Sequence, residues 1–107
     1  MVTINYDKTH FTLTVSGHAG AAEHGKDILC SACSILTYTL AQIVLEHSEC
    51  MRQPPRVELN EGTAVIQCAP KENCIEKINC IFDTIMTGFD LLAVSYPKNI
   101  KIFCGAG

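Results

Sequence analysis

The chain lacks several features that mark particular classes of protein. It contains no uninterrupted run of about 18 apolar residues, so the sequence predicts no membrane span. Its 8 lysines and arginines are outnumbered by 11 acidic residues, giving a formal charge of -3, whereas nucleic-acid binding needs clustered basic side chains. Its first residues show neither the basic nor the apolar block of a signal peptide. We therefore expect a cytoplasmic protein with no membrane contact and no direct nucleic-acid partner.

What is present is the composition of one globular domain over residues 1–107. The length favours a single domain, and 48% apolar with 18% charged residues is typical of a folded chain. The count of seven cysteines is high. Because a chain of this length forms a core without cross-links, and the reducing cytoplasm is its expected location, we expect free thiols. Four of them fall within apolar patterns and are predicted to pack as small hydrophobic side chains: Cys68, Cys74, Cys80 and Cys104.

Hydrophobic periodicity predicts elements in the order ββαββαβ. A helical period begins at Asp27, the predicted N-cap, and continues for about 20 residues until Pro54 and Pro55 end the segment. A second helix is predicted over residues 72–93. Alternating patterns and a turn at Gly62 predict the strands, which cover residues 3–7, 11–16, 56–59, 63–68 and 98–104. This order predicts an α+β two-layer sandwich, with two helices on one face of a mainly antiparallel sheet.

The second helix carries more apolar surface than one sheet face needs. A regular seam recurs every three or four residues, and Ile81 and Met86 widen it. A seam of this width suits one layer of the sheet plus a partner helix, which either this chain or another subunit supplies.

Residues 16–34 hold the side chains with catalytic potential. Cys30 is predicted near the third position of the first helix, where free backbone N–H groups and the helix dipole favour a thiolate. His18 lies twelve residues earlier, on a glycine-rich loop long enough to fold back to Cys30. A Cys–His nucleophilic pair is one interpretation, with the helix amides available to an oxyanion. Three glycines are assigned to this flexible loop: Gly17, Gly20 and Gly25.

Two other interpretations of the same side chains stay open. Cys30 and Cys33 form a C-x-x-C pair suited to dithiol–disulfide exchange, although the βαβ context of thioredoxin-like proteins is missing. They would also bind zinc together with His18 and His24, although this spacing matches no common zinc site. In the third interpretation, both histidines are solvated and both cysteines pack beneath the helix, which is the more frequent situation for such residues.

The motifs in this stretch carry a family resemblance. Gly17, His18 and Ala19 form a G-H-A motif, residues 25–30 read GKDILC, and Ser34 follows. This pattern resembles the signature of the ribosomal-processing cysteine protease family, Prp, in which G-H-A is followed by G-x-D-I-V-C. The resemblance extends over the whole chain in length and element order. Cys33 falls where the family has a small residue or Val, which implies packing and not a second catalytic thiol.

The resemblance implies His18 as general base and Cys30 as nucleophile, with Asp27 and Ser34 supporting the site. It implies no metal and no cofactor, and a glycine loop that orders when substrate binds. Members of the family look like homodimers joined through helices, and they remove an N-terminal extension from a large-subunit ribosomal protein, cutting after Phe and before a small residue. The expected function is therefore a cysteine endopeptidase acting on a ribosomal protein precursor. The alternative is a non-catalytic, ribosome-associated domain that binds the same peptide.

Overall fold

The computed structural model describes residues 1–17 and 26–105. Its elements follow the predicted order ββαββαβ, with one 3₁₀ turn (Ser48–Cys50) after the first helix and another (Glu72–Cys74) before the second. The strands and helices are β1 (Val2–Asp7), β2 (Thr12–Gly17), α1 (Lys26–Glu46), β3 (Arg56–Asn60), β4 (Thr63–Gln67), α2 (Ile75–Ser95) and β5 (Ile100–Gly105).

The five strands form one sheet in the order β3-β4-β2-β1-β5. All neighbours are antiparallel except β1 and β5, which are parallel because α2 carries the chain back before β5 begins. Along β1, Val2, Ile4 and Tyr6 are buried while the residues between them are not, as expected for a sheet with one covered face. The predicted α+β class and mainly antiparallel sheet are confirmed.

The core lies between this sheet and one side of each helix. Leu29, Leu40 and Val44 of α1 are fully buried. Phe82 of α2 is also fully buried, and it stacks on Tyr6 with ring centroids 5.2 Å apart. Burying each such side chain stabilises the fold by roughly 1.5–3 kcal/mol, so packing against the sheet fixes the position of both helices.

The boundaries of the helices differ from the prediction. The first helix already includes Lys26, so Asp27 lies within it and is not its N-cap. It ends at Glu46, before Pro54 and Pro55, and the chain then enters a 3₁₀ turn that buries Cys50. The second helix starts later than predicted, at Ile75, because residues 72–74 form the other 3₁₀ turn. Sequence periodicity does not distinguish these turns from the helices they adjoin.

All seven cysteines are free thiols, as predicted. Cys68 is buried and Cys74 is half-buried, in agreement with their apolar patterns. The prediction is wrong for Cys80 and Cys104, which are exposed. Cys80 lies on the solvent side of α2, and Cys104 lies near the end of β5, which is an edge strand.

Both helices are long and apolar enough to cross a membrane by length and composition alone. The mean hydropathy is 1.9 in Ile28–Glu46 and 1.3 in Glu72–Ser95, although polar residues interrupt both segments. Each helix nevertheless places one side in the protein core, and core helices of globular domains meet the same criterion. The finding alone is therefore weak evidence for a membrane span.

Exposed large apolar side chains lie on both helices, with four on α1 and three on α2. Of the residues that were predicted to widen the face of α2, Met86 is buried within this chain and Ile81 is half-buried against its core. On α1, by contrast, four large apolar side chains at helical spacing are exposed to solvent. We call this surface the α1 stripe, and it consists of Ile28, Ile35, Tyr38 and Leu45.

Gly17 ends β2 in a conformation and a space that only glycine fits. Its φ is 93°, and its N–H donates a hydrogen bond to the carbonyl of Gly62 at 2.9 Å. A Cβ at this position would overlap the carbonyl oxygen of Met1. The assignment of Gly17 to a flexible loop is therefore wrong, because this residue belongs to the sheet. Gly20 and Gly25 lie outside the described residues.

We expect Gly17→Ala to lower the free energy of unfolding by about 2–4 kcal/mol, since the alanine must adopt a left-handed conformation and displace the backbone of Met1. Urea unfolding followed by circular dichroism measures the loss. The matched control is Gly105→Ala, where an added Cβ meets nothing within 4 Å. Equal unfolding midpoints for the two variants would contradict the prediction.

Candidate active site

A cleft of about 220 Å³ lies between the N-terminal half of α1 and the β3–β4 hairpin. The hairpin lies here because β4 pairs with β2, and Val15 and Gly17 of β2 line the same cleft. The cleft is lined by Val2, Val15, Gly17, Cys30, Cys33, Ser34, Thr37, Tyr38, Leu59, Asn60, Glu61, Gly62, Thr63 and Ala64. It therefore contains two of the predicted site residues, Cys30 and Ser34, and Gly17 at its edge.

Cys30 is half-buried, and it both packs against the core and lines the cleft. Of the two residues that precede it in α1, Leu29 is fully buried and Ile28 is exposed to solvent. Since α1 already includes Lys26, Cys30 is at least the fifth helical residue, two or more positions deeper than predicted. Its own N–H therefore belongs to the hydrogen-bonded helix and not to the free first turn. The thiol nevertheless remains open to a molecule that occupies the cleft.

Cys33 occupies a different environment, although it follows Cys30 by one helical turn. Its side chain is only 5% exposed, and burial, together with the nearby Cys30, raises the pKa of its thiol to about 11. Cys33 therefore stays protonated at neutral pH, whereas disulfide exchange and zinc binding both use the thiolate. This environment weighs against both uses of the C-x-x-C pair.

No group of three or more possible metal ligands occurs within residues 1–17 and 26–105. His18 and His24, which the zinc interpretation requires, lie outside these ranges. The structure therefore does not test that ligand set directly. What it shows is that Cys33, a third member of the set, is buried against the core.

Two buried thiols make the fold sensitive to high pH. Burial raises the pKa of both Cys33 and Cys68 from the ordinary value of 9.0 to about 11. Their contribution to stability is fully present below pH 9.0, where both states keep the proton. It is lost as the pH rises to about 11, because the unfolded chain releases these protons first.

We therefore expect stability to fall by about 2–3 kcal/mol per buried thiol across this interval. Urea unfolding at about pH 8 and about pH 10.5 measures the fall. The double variant Cys33→Ala, Cys68→Ala should lose less stability between these pH values than the parent. Replacing the exposed Cys80 and Cys104 by alanine provides the control, and an equal effect of both double variants would contradict the prediction.

Other side chains of the cleft were not identified from the sequence. Thr37 is buried and donates a hydrogen bond from its Oγ1 to the carbonyl of Cys33 at 2.7 Å. Tyr38 forms part of the wall, and Asn60 and Glu61 face it from the hairpin. The sequence predicted this hairpin, but only the pairing of β4 with β2 places its turn next to α1.

The structure brings some predicted site residues together and leaves others untested. Cys30 and the exposed Ser34 lie one helical turn apart on the same wall of the cleft. The backbone of Asp27 lies in α1, and its side chain is outside the described part of the molecule, as is all of His18. The Cys30–His18 pair therefore remains a prediction.

A larger cleft of about 650 Å³ lies at the opposite end of the sheet, away from Cys30. Arg52, Arg56 and His10 line it. Arg56 pairs with Glu58, and His10 is hydrogen bonded to Asp7 and lowers the pKa of that carboxyl. Because this cleft holds none of the predicted site residues, and Arg56 and His10 already have partners, we take the cleft at Cys30 as the candidate active site.

The motif residues, the fold and the thiol at the cleft agree with a comparison against protein families. The model of the family described as cysteine protease Prp matches residues 1–101. The chain belongs to the Prp family. This confirms both the family resemblance and the enzyme class, cysteine protease, that the motifs between Gly17 and Ser34 predicted. A search of curated proteins finds no match for the chain.

Solved structures show the Prp fold over nearly the whole chain. The ribosomal processing protease Prp from S. aureus, with a covalently linked product peptide, matches with a TM-score of 0.74 and 19% identity, covering 98% of this chain and 100% of that one. The same protease with a substrate peptide gives 0.72 and 18%, with 97% of each chain covered. SMU.848 from Streptococcus mutans gives 0.71 and 23%, covering 96% and 90%.

Proposed function

We propose that this Prp-family protein is an endopeptidase that removes the N-terminal extension of a large-subunit ribosomal protein precursor. The proposed cut follows a Phe and precedes a small residue. The observation that carries the proposal is a half-buried thiol, Cys30, at the mouth of a cleft in a chain of this family. The S. aureus relative supports the peptide substrate, since it is a ribosomal processing protease found with substrate and product peptides.

In the proposed mechanism, His18 takes the proton of the Cys30 thiol and the resulting thiolate attacks the scissile carbonyl. The tetrahedral intermediate collapses to a thioester as His18 protonates the leaving amine. Water then attacks the thioester, and the Cys30 sulfur leaves. Ser34, on the same wall of the cleft, and Asp27 are proposed to support this arrangement. The mechanism uses no metal and no cofactor, and we place it in the cytoplasm, where thiols stay reduced.

A synthetic peptide that spans the precursor junction tests this proposal. We expect the protein to convert it into two products, with mass spectrometry placing the cut directly after Phe. A peptide in which that Phe is replaced by Gly is the control and should be cleaved much more slowly. Tight binding of the first peptide with no products would support the alternative of a non-catalytic binding domain and overturn the proposed activity.

We also propose that two copies of the chain pair through the α1 stripe. The sequence contains no charged residue between Asp27 and Glu46, so two such surfaces meet without bringing like charges together. A shallow groove beside the stripe, lined by Ile35, Tyr38 and Ile43 among others, offers space for a partner's side chains. Tyr38 also lines the Cys30 cleft, so this contact would lie directly beside the active site.

Ile35→Glu should weaken the dimer about 30-fold or more, because it buries an unpaired charge at the centre of the stripe. Sedimentation equilibrium measures the dissociation constant. The control is Leu91→Glu on α2, since Leu91 is as exposed as Ile35, at 66% and 62%, but lies outside the stripe. A parent protein that is monomeric, or that floats with lipid vesicles, would contradict the proposed dimer.

A further inference from the structure

Two cysteines away from the active site are brought together by the 3₁₀ turns that flank the hairpin. Cys50 ends the turn after α1, and Cys74 ends the turn before α2. The backbone holds these turns side by side, since the N–H of Lys71 donates to the carbonyl of Cys50 at 2.7 Å and the N–H of Cys74 donates to the carbonyl of Lys71 at 2.9 Å. An isolated bridge between Met51 and Pro70 adds a further connection.

The side chains of the two cysteines are also in contact. The thiol of Cys50 is hydrogen bonded to the sulfur of Cys74, and this bond, with burial, raises the pKa of Cys50. Cys50 is only 3% exposed, while Cys74 is half-buried at the edge of the core. Neither residue lines the Cys30 cleft. The pair thus combines an accessible sulfur with a buried one behind it, which is the arrangement of an attacking and a resolving thiol.

We propose that Cys50 and Cys74 form an intramolecular disulfide when the protein meets a low-molecular-weight disulfide such as oxidised glutathione. Cys74 loses its proton to solvent and attacks one sulfur of the reagent, which forms a mixed disulfide and releases one thiolate. Cys50 then loses its proton and attacks the Cys74 sulfur, which releases the second thiolate. The two released thiolates take up the two protons, so two cysteine thiols are oxidised and one disulfide is reduced to two thiols.

The new bond would join the end of α1 to the start of α2 and close a loop of twenty-three intervening residues that contains the whole β3–β4 hairpin. Cross-links of this kind stabilise a fold mainly by restricting the unfolded chain. We therefore expect oxidation to raise the midpoint of thermal unfolding by about 10 °C. The inference is independent of the proposed peptide cleavage.

The experiment treats the full-length protein with oxidised glutathione, blocks remaining thiols with iodoacetamide, and digests it without reduction. Trypsin with a glutamate-specific protease separates Cys50, in residues 50–52, from Cys74, in residues 73–76, and both from Cys30 and Cys33. We expect mass spectrometry to find these two peptides linked through their sulfurs. Cys74→Ser should abolish the link and the thermal shift, while the control Cys80→Ser, on the exposed side of α2, should keep both.

Two outcomes would overturn the inference. One is recovery of the Cys74 peptide with iodoacetamide attached while the exposed Cys80 and Cys104 carry glutathione. Another is glutathione that remains on Cys74 as a stable mixed disulfide, since Cys50 would then be unable to reach it. The parent protein alone decides both, so the test holds even if a variant is less stable than expected.

Discussion

Replacing Cys30 by serine should lower kcat/KM for the precursor peptide by about 10⁴-fold or more. A hydroxyl is a far weaker nucleophile than a thiolate, and loss of the nucleophile of a covalent mechanism leaves only the rate that binding and polarisation provide. Because Cys30 is only half-buried and serine is nearly isosteric, the fold should survive. Product formation is followed by mass spectrometry, and urea unfolding of the same sample confirms that the variant is folded.

The matched control for this variant is Cys33→Ala, one helical turn away. Cys33 is buried and stays protonated at neutral pH, so its removal should leave kcat/KM close to that of the parent. The disulfide-exchange and zinc interpretations predict instead that both variants lose activity equally. Full activity of Cys30→Ser would falsify the assignment of the nucleophile.

The reactivity of the thiols gives an independent readout that needs no substrate. If alkylation followed exposure alone, Cys80 and Cys104 would react before the half-buried Cys30. An activated Cys30 should be labelled first at neutral pH, because the thiolate is the reactive form. Labelling in the order of exposure would count against an activated site.

The sequence predicted the fold well because each element has a strong local pattern. The alternation of Val2, Ile4 and Tyr6 with less buried residues matches a strand with one covered face, and the spacing of Ile78, Phe82 and Phe89 matches one side of a helix. Period 2 and period 3.6 are distinguishable from a single sequence. The order of the elements then restricts the architecture to few choices.

Features that depend on contacts between distant segments were not predictable in the same way. The sequence gives no local signal that β5 lies parallel to β1, or that the turn at Gly62 comes to lie beside α1. The contact between Cys50 and Cys74 also depends on two 3₁₀ turns. Periodicity placed the first of these turns in no element and the second in a helix. The candidate site was predicted only as far as its motif residues, and its walls from Thr37, Asn60 and Glu61 emerged from the tertiary structure.

His18→Ala should lower kcat/KM by about 10³- to 10⁴-fold, since the proposed mechanism needs a base for the Cys30 thiol and an acid for the leaving amine. The matched control is His24→Ala, which replaces the other histidine between β2 and α1 and should leave kcat/KM near the parent value. These two variants separate the remaining hypotheses, because a zinc site would require both histidines and a peptide-binding domain would require neither for catalysis. Equal losses, accompanied by zinc in elemental analysis, would replace the Cys–His pair with a metal site. A large loss for His18→Ala alone leaves the proposed Cys–His pair as the only one of these hypotheses that accounts for the result.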